Sequence, residues 1–134
     1  MHRMYVSAVI TTVLAAGVLF AQSDNDYQSW MKTVAASNQG LQKKIAAKNG
    51  AGAAADAQKL EDTFKLVEEF WQKRNAVDAV HFAEQAQTAA ASISKSAAAG
   101  NIDQASAQVK NLMTNCSGCH SAHREKTEGG FKIK

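Results

Sequence analysis

The residues of this chain that could do chemistry cluster near its end, in the segment NCSGCH at 115–120. Both cysteines of the 134-residue chain are here, Cys116 and Cys119, and His120 follows directly. On a helix these residues lie about one turn apart, so two thiols and an imidazole project from neighbouring parts of one face. Four kinds of site use such residues: a redox dithiol, part of a metal site, a disulfide, or an attachment point for haem.

The surrounding sequence helps to separate these alternatives. A disulfide between Cys116 and Cys119 would close a loop of two residues and would constrain the unfolded chain very little. A thioredoxin-like dithiol is expected beside a βαβ unit, which the sequence does not predict. A structural zinc site needs four ligands and would have to recruit His123 or the distant His81. Haem needs two thioether bonds and a histidine ligand to iron, which CxxCH provides. We therefore favour haem, with zinc and dithiol chemistry as alternatives.

The N-terminal segment has the pattern of a secretory signal peptide. Arg3 precedes VSAVITTVLAAGVLF, which is 15 residues long and uncharged, and Ala21 precedes a polar segment. Because a membrane span needs about 20 apolar residues, we expect cleavage after Ala21 rather than an uncleaved anchor. These features predict a periplasmic protein in three parts: a signal peptide over 1–21, one domain over 22–126, and a flexible tail over 127–134.

The composition argues against several classes of function. The chain has 15 Lys and Arg and 12 Asp and Glu, for a formal net charge of +3. Cleavage of the predicted signal peptide would remove one positive charge, that of Arg3. Such a small excess gives no support for nucleic-acid binding. No set of residues suggests a catalytic site, since paired carboxylates such as Glu68 and Glu69 lie on polar faces of predicted helices. We therefore expect a protein that is not an enzyme.

The composition of the chain predicts helices, because it has no proline and abundant alanine. These helices must position the CxxCH motif. Apolar residues recur at steps of three and four in four segments, and glycine and asparagine separate them. The predicted helices span 24–48, 55–74, 77–99 and 102–126. Their short connections predict an all-α, antiparallel up-down-up-down four-helix bundle. Cys116 and Cys119 fall on the buried stripe of the fourth helix, and small residues on the third would let a neighbouring helix or a large planar ligand come close.

The chain has four predicted helices in this order, CxxCH in the last of them, and the segment AAAGNIDQASAQVKNLMTNCSGCHSAHR. In these features it resembles the cytochrome c′ family. The likeness covers essentially all of the chain after the signal peptide and includes YQSWMKTV in the first helix. The resemblance implies one haem c per chain, linked through thioethers to Cys116 and Cys119. It also implies that His120 is the proximal iron ligand.

Two residues beyond the motif also match positions of interest in that family. Arg124, one turn after His120, matches a basic residue near the proximal side of the haem, although a solvated cation at a helix end is an equal alternative. His123 stands where the family usually has an aromatic residue. We expect it to pack or to lie at the surface rather than to bind iron.

The first helix departs from the family pattern in one respect. The family tends to carry an Arg-Gln pair there, with the arginine near a haem propionate, and the corresponding residues here are Tyr27 and Gln28. Gln28 therefore remains a candidate contact with the cofactor. Lys32 is a weak substitute for the missing arginine.

The resemblance places Met31, in YQSWMKTV, on the open side of the haem, where it could bind iron or only pack. Ligation would imply a six-coordinate electron carrier that serves periplasmic redox partners. Packing alone would imply five-coordinate iron that binds a small gas such as nitric oxide. Met113 is one turn from Cys116, which is too close to the attachment point to reach that opposite side. Thiol oxidoreductase activity is the third hypothesis.

The resemblance also implies a possible homodimer. Members of the family often pair through their first two helices, so Phe70 or Trp71 could make such a contact if exposed. These residues could equally cover the core.

Overall fold

The computed structural model describes residues 23–134, which form four helices and a terminal β-hairpin. The elements are α1 (Asp24–Ala46), α2 (Gly50–Gln72), α3 (Val77–Ala98), α4 (Ile102–His123), β1 (Arg124–Thr127) and β2 (Gly130–Ile133). The predicted all-α four-helix bundle is confirmed. The predicted signal peptide lies outside the described residues. Between residues 23 and 134, no helix is long and apolar enough to cross a membrane.

The helices pack in chain order, and this order leaves one side of the bundle open. α2 packs against α1 and α3, and α3 packs against α4, whereas α1 and α4 make few contacts with each other. Connections of three or four residues hold consecutive helices side by side. The first and last helices therefore face each other across a gap.

Side-chain caps stand at the starts of α1, α2 and α4, and one of them explains a difference from the predicted boundaries. Ser23 and Asp26 form a capping box at the start of α1, and Asn101 caps α4 by accepting a hydrogen bond from the backbone N–H of Gln104. α2 begins at Gly50 and not at residue 55, because Asn49 Oδ1 accepts from the backbone N–H of Gly52 at 2.9 Å. The glycines expected to separate two helices therefore lie in the first turn of α2.

The core is aromatic where α1 meets α2. The Tyr27 ring lies 4.6 Å from Phe70 and 5.5 Å from Trp71, measured between ring centroids. Phe70 is completely buried and Trp71 is 3% exposed, so these side chains cover the core and are not available for contact between two bundles. Of the two roles considered for them, the structure selects packing.

The C-terminal tail differs most from prediction. α4 ends at His123, not at residue 126, and residues 124–127 pair antiparallel with residues 130–133. The backbone turns to an extended conformation at Arg124 (φ −122°, ψ 133°), and the N–H of Lys134 bonds to the carbonyl of His123 at 3.1 Å. Ile133 packs against the core. The tail expected to be flexible is thus folded back as a β-hairpin.

α3 and α4 approach closely at Gly118, which lies between the two cysteines. The small residues predicted on α3 are buried, and Phe82 beside them reaches α4. A Cβ atom built on Gly118 would lie 2.5 Å from Phe82 Cε1, which is closer than two carbon atoms can pack. Any larger residue at position 118 therefore requires the Phe82 ring to move.

We predict that Gly118→Ala destabilises the fold by about 1–3 kcal/mol, because the new methyl group must displace the Phe82 ring. The intrinsic helix preference of alanine, about 0.5–1 kcal/mol, offsets part of this cost. Urea unfolding followed by far-ultraviolet circular dichroism measures the change.

Gly129→Ala is the matched control, since nothing lies within 4 Å of its Cβ position. We expect it to change stability by less than about 0.5 kcal/mol. In a Phe82→Ala background the cost of Gly118→Ala should largely vanish. An equal cost with and without the Phe82 ring would show that this contact is not the cause.

Candidate functional site

A pocket of about 570 Å³ occupies the gap between α1 and α4. Its volume lies in the range of small-molecule and cofactor sites. All six site residues predicted from the sequence line it, namely Gln28, Met31, Cys116, Cys119, His120 and Arg124. Residues about 85 positions apart in the chain are therefore brought to one cavity.

The pocket walls come from four directions. α2 supplies Leu60 and Phe64 at the base, and α4 adds Leu112, all of which are buried apolar side chains. The β-hairpin closes one side with Phe131 and Ile133. The sequence prediction missed this hairpin wall completely, since it assigned the residues to a flexible tail.

The two cysteines are free thiols in a half-buried setting. Burial raises the pKa of Cys116, and burial followed by the negative charges of Asp78 and Cys116 raises the pKa of Cys119 to about 11. Both residues also lie in the last two turns of α4, where the helix dipole disfavours an anion. Catalytic dithiols have the opposite setting, because they need a lowered thiol pKa.

His120 lines the same pocket and is half-buried. Burial, and to a lesser degree the positive charge of Arg124, lowers the pKa of its imidazole. The ring is therefore neutral at physiological pH, which is the form that binds a metal. Its nitrogens make no hydrogen bond to any other residue between 23 and 134.

His123 has a packing role, as expected. Its ring centroid lies 4.7 Å from that of Trp71, and its Nε2 is 2.8 Å from Asp78 Oδ2 at the start of α3. The hydrogen bond from His123 lowers the pKa of Asp78. His81, the other histidine considered as a metal ligand, is exposed on α3 and does not line the pocket.

Two methionines line the pocket. Met31 comes from α1, and Met113 comes from α4, one turn before Cys116. The thioether of Met113 accepts a hydrogen bond from Asn38 Nδ2 at 3.5 Å, which ties it to α1. The Met31 thioether has no such partner in the described part of the chain.

Asn38 leaves one polar atom unused in the pocket wall. Its Oδ1 is buried and has no hydrogen-bond partner among the described residues. A buried acceptor without a partner costs free energy unless a ligand or water satisfies it.

A second cavity of about 30 Å³ lies between the helices. Seven of its lining residues also line the large pocket: Tyr27, Met31, Val34, Phe64, Cys116, Cys119 and His120. Its other walls are mostly apolar and are formed by Val67, Phe82, Ala83, Ala86 and Asn115. The small cavity therefore adjoins the large pocket and extends it toward α3.

The donor groups fit haem better than a protein-ligated metal. Between residues 23 and 134, no group of three or more His, Cys, Asp and Glu side chains could hold a metal ion. A structural zinc site takes all four ligands from such side chains. Haem iron instead needs one axial histidine, and two thiols at this spacing attach the macrocycle. The residues present therefore fit haem c.

No protein-family model matches this sequence, and no curated protein or solved structure matches it either.

We predict that the thiols of the chain without any attached group react slowly with iodoacetamide at pH 7. Only the thiolate reacts, and a raised pKa keeps each thiol protonated until the pH approaches that pKa. The alkylation rate of Cys119 should therefore keep rising with pH until the pH approaches its pKa of about 11. In Cys116→Ala, which isolates this thiol and removes only the smallest of the three causes of its shift, mass spectrometry of the alkylated protein gives the rate.

The same variant in urea is the control, because unfolded cysteine has a pKa of about 8.5. At pH 8 we expect the unfolded thiol to react at least about tenfold faster than the folded one. A folded-state rate that reaches a plateau near neutral pH would indicate an activated thiolate and would favour the oxidoreductase hypothesis.

Proposed function

We propose that this protein is an exported c-type cytochrome that carries one covalently attached haem and transfers single electrons between periplasmic partners. The observation that carries the proposal is the pocket of about 570 Å³, in which Cys116, Cys119 and His120 of α4 meet Gln28 and Met31 of α1. When bound, haem supplies an iron that alternates between two oxidation states.

The cysteines would hold the ligand and His120 would orient it. Each thiol would add across one vinyl group, its sulfur to one carbon and its hydrogen to the other, to give a thioether with no by-product. Neutral His120 would offer a nitrogen lone pair to the iron without first losing a proton. Because these three residues lie about one turn apart on a single helix, attachment and ligation would share one rigid support.

The remaining walls would control access and polarity. Leu60, Phe64 and Leu112 exclude water from the base of the pocket, and burial of a redox centre is one way in which a protein sets its potential. The Met31 thioether, which has no hydrogen-bond partner among the described residues, would be available to bind the iron. Met113 is already engaged by Asn38. Ligation by Met31 would suit electron transfer, since no ligand would have to enter or leave.

The alternative function is binding of a small gas such as nitric oxide by five-coordinate iron. The cavity of about 30 Å³ supports it, because this space is mostly apolar, is bordered by Met31 and His120, and has room for about one small molecule. In this case Met31 would pack beside the haem without binding iron.

The thiol oxidoreductase hypothesis has less support. Its nucleophile must be a thiolate, and both thiol pKa values are shifted upward. The position of the motif near the C-terminal end of α4 is also opposite to the helix N-terminus that stabilises a thiolate.

We predict that the full chain, produced in a host that attaches haem c, gains the mass of one haem that denaturation does not remove. Cys116→Ala/Cys119→Ala should lose the covalent mass while keeping its helical circular dichroism. Intact-protein mass spectrometry in denaturant makes the measurement. A full chain that is exported, folded and free of added mass would contradict the proposed function.

We predict that Met31→Ala changes the haem spectrum from low spin to high spin and allows rapid carbon monoxide binding, because it removes the sixth ligand. Met113→Ala is the matched control, since it removes the other thioether of the pocket and should leave the spin state unchanged. An unchanged spin state in Met31→Ala, with a parent protein already high spin, would instead support the gas-binding alternative.

A further inference from the structure

The charged residues that line the large pocket are all basic. Lys32 comes from α1, Arg124 from the junction of α4 and β1, and Lys132 from β2. None of the 12 acidic residues of the chain is among the described residues that line it. In a protein with a net charge of only +3, this local imbalance favours an anionic ligand.

The three cations, here named the cationic rim, have little to neutralise them. Lys32 is exposed and forms no ion pair with any residue between 23 and 134. Lys132 Nζ lies 3.5 Å from Glu125 Oε2, but both side chains are more than half exposed, so this pair contributes little stability. Lys132 can therefore exchange this partner for another anion.

Arg124 is held in place by the hairpin. Its guanidinium carbon lies 3.8 Å from the centroid of the Phe131 ring, a cation–π contact across the two strands. Such stacking leaves the edge of the guanidinium plane free to donate two parallel hydrogen bonds to a carboxylate. The backbone bond from Lys134 to His123 and the packing of Ile133 fix the hairpin against the bundle.

The base and the rim of the pocket have opposite character. Leu60, Phe64 and Leu112 make the base apolar and buried, whereas exposed cations lie around the opening. A ligand that matches both parts is flat and apolar, with carboxylate groups along one edge. Haem has this form, because its two propionates extend from the same side of the ring.

We propose that the β-hairpin is the closing wall of the haem pocket, and that the cationic rim binds the propionate carboxylates. This inference rests on the proposed function, and it assigns a ligand-binding role to the tail. The hairpin contributes two of the three cations. These would replace the propionate contact of the arginine that the resembled family carries on the first helix, where this chain has Tyr27.

The test uses the full-length Cys116→Ala/Cys119→Ala chain, in which haem can bind only without covalent attachment. Haemin, with two free propionates, and haemin dimethyl ester, with none, are titrated separately and followed by absorbance. We expect the parent to prefer haemin. Adding Lys32→Gln, Arg124→Gln and Lys132→Gln should weaken haemin binding at least about tenfold and ester binding less than about twofold.

The matched control adds Lys43→Gln, Lys95→Gln and Lys126→Gln. It removes the same number of charges from exposed residues that do not line the pocket. We expect its preference for haemin to equal that of the parent. Because each comparison is a ratio between two probes on the same variant, a general loss of folding cannot produce the expected result.

Three results would overturn the proposal: an equal loss for both probes in the rim variant, an equal loss in the control variant, or no binding of either probe to the parent. The covalent mass of the unmutated chain tests the proposed function independently. If the unmutated chain carries covalent haem but the rim variant keeps the parent's ratio of haemin to ester affinity, only the proposed role of the cationic rim is refuted. Selective haemin binding without covalent mass supports the rim and refutes the c-type assignment.

Discussion

The separation of α1 from α4 is the constraint on which the site depends. In a closed four-helix bundle each helix packs against two neighbours, whereas here the first and last helices have little contact with each other. Two interfaces hold them in these positions. The aromatic cluster around Tyr27 fixes α1 on α2, and the close approach at Gly118 fixes α4 on α3. The gap between them is therefore a product of packing elsewhere in the bundle.

Burial then determines the chemical state of the groups that line this gap. Removal from water raises the pKa of both thiols and of Tyr27, which reaches about 12, and it lowers that of His120. All four groups are thus uncharged at neutral pH. A neutral imidazole suits metal ligation, whereas neutral thiols suit thiolate chemistry poorly. The charges of the pocket are instead at its opening.

Much of the bundle could be predicted from the sequence, because each helix has an apolar stripe of regular period and glycine or asparagine near its ends. Cys116, Cys119 and His120 were identifiable for the same reason, since their spacing is itself a local pattern. Met31 and Gln28 required resemblance to a known family, because nothing in their own segment connects them to a motif about 85 residues away. The structure places them in the same pocket, while the role of each there is still a prediction.

The hairpin could not be predicted by the same means. Its strands have four residues each, which is too short for an alternating pattern to stand out. Its stability depends on contacts with residues distant in sequence, such as the packing of Ile133 against the helical core. The start of α2 was missed for a different, local reason, since the side-chain cap at Asn49 outweighs the low helix propensity of two glycines.

The direct change from α4 to β1, with no loop between His123 and Arg124, has a consequence for how this protein can vary. A helix rotates by about 100° for each residue, so a single insertion at this junction would swing the whole hairpin around the axis of α4. The thiols would keep their positions while the wall beside them turned away. Insertions and deletions should therefore be tolerated at the turn formed by Glu128 and Gly129. They should be selected against at the junction of His123 and Arg124, although it lies only about four residues earlier.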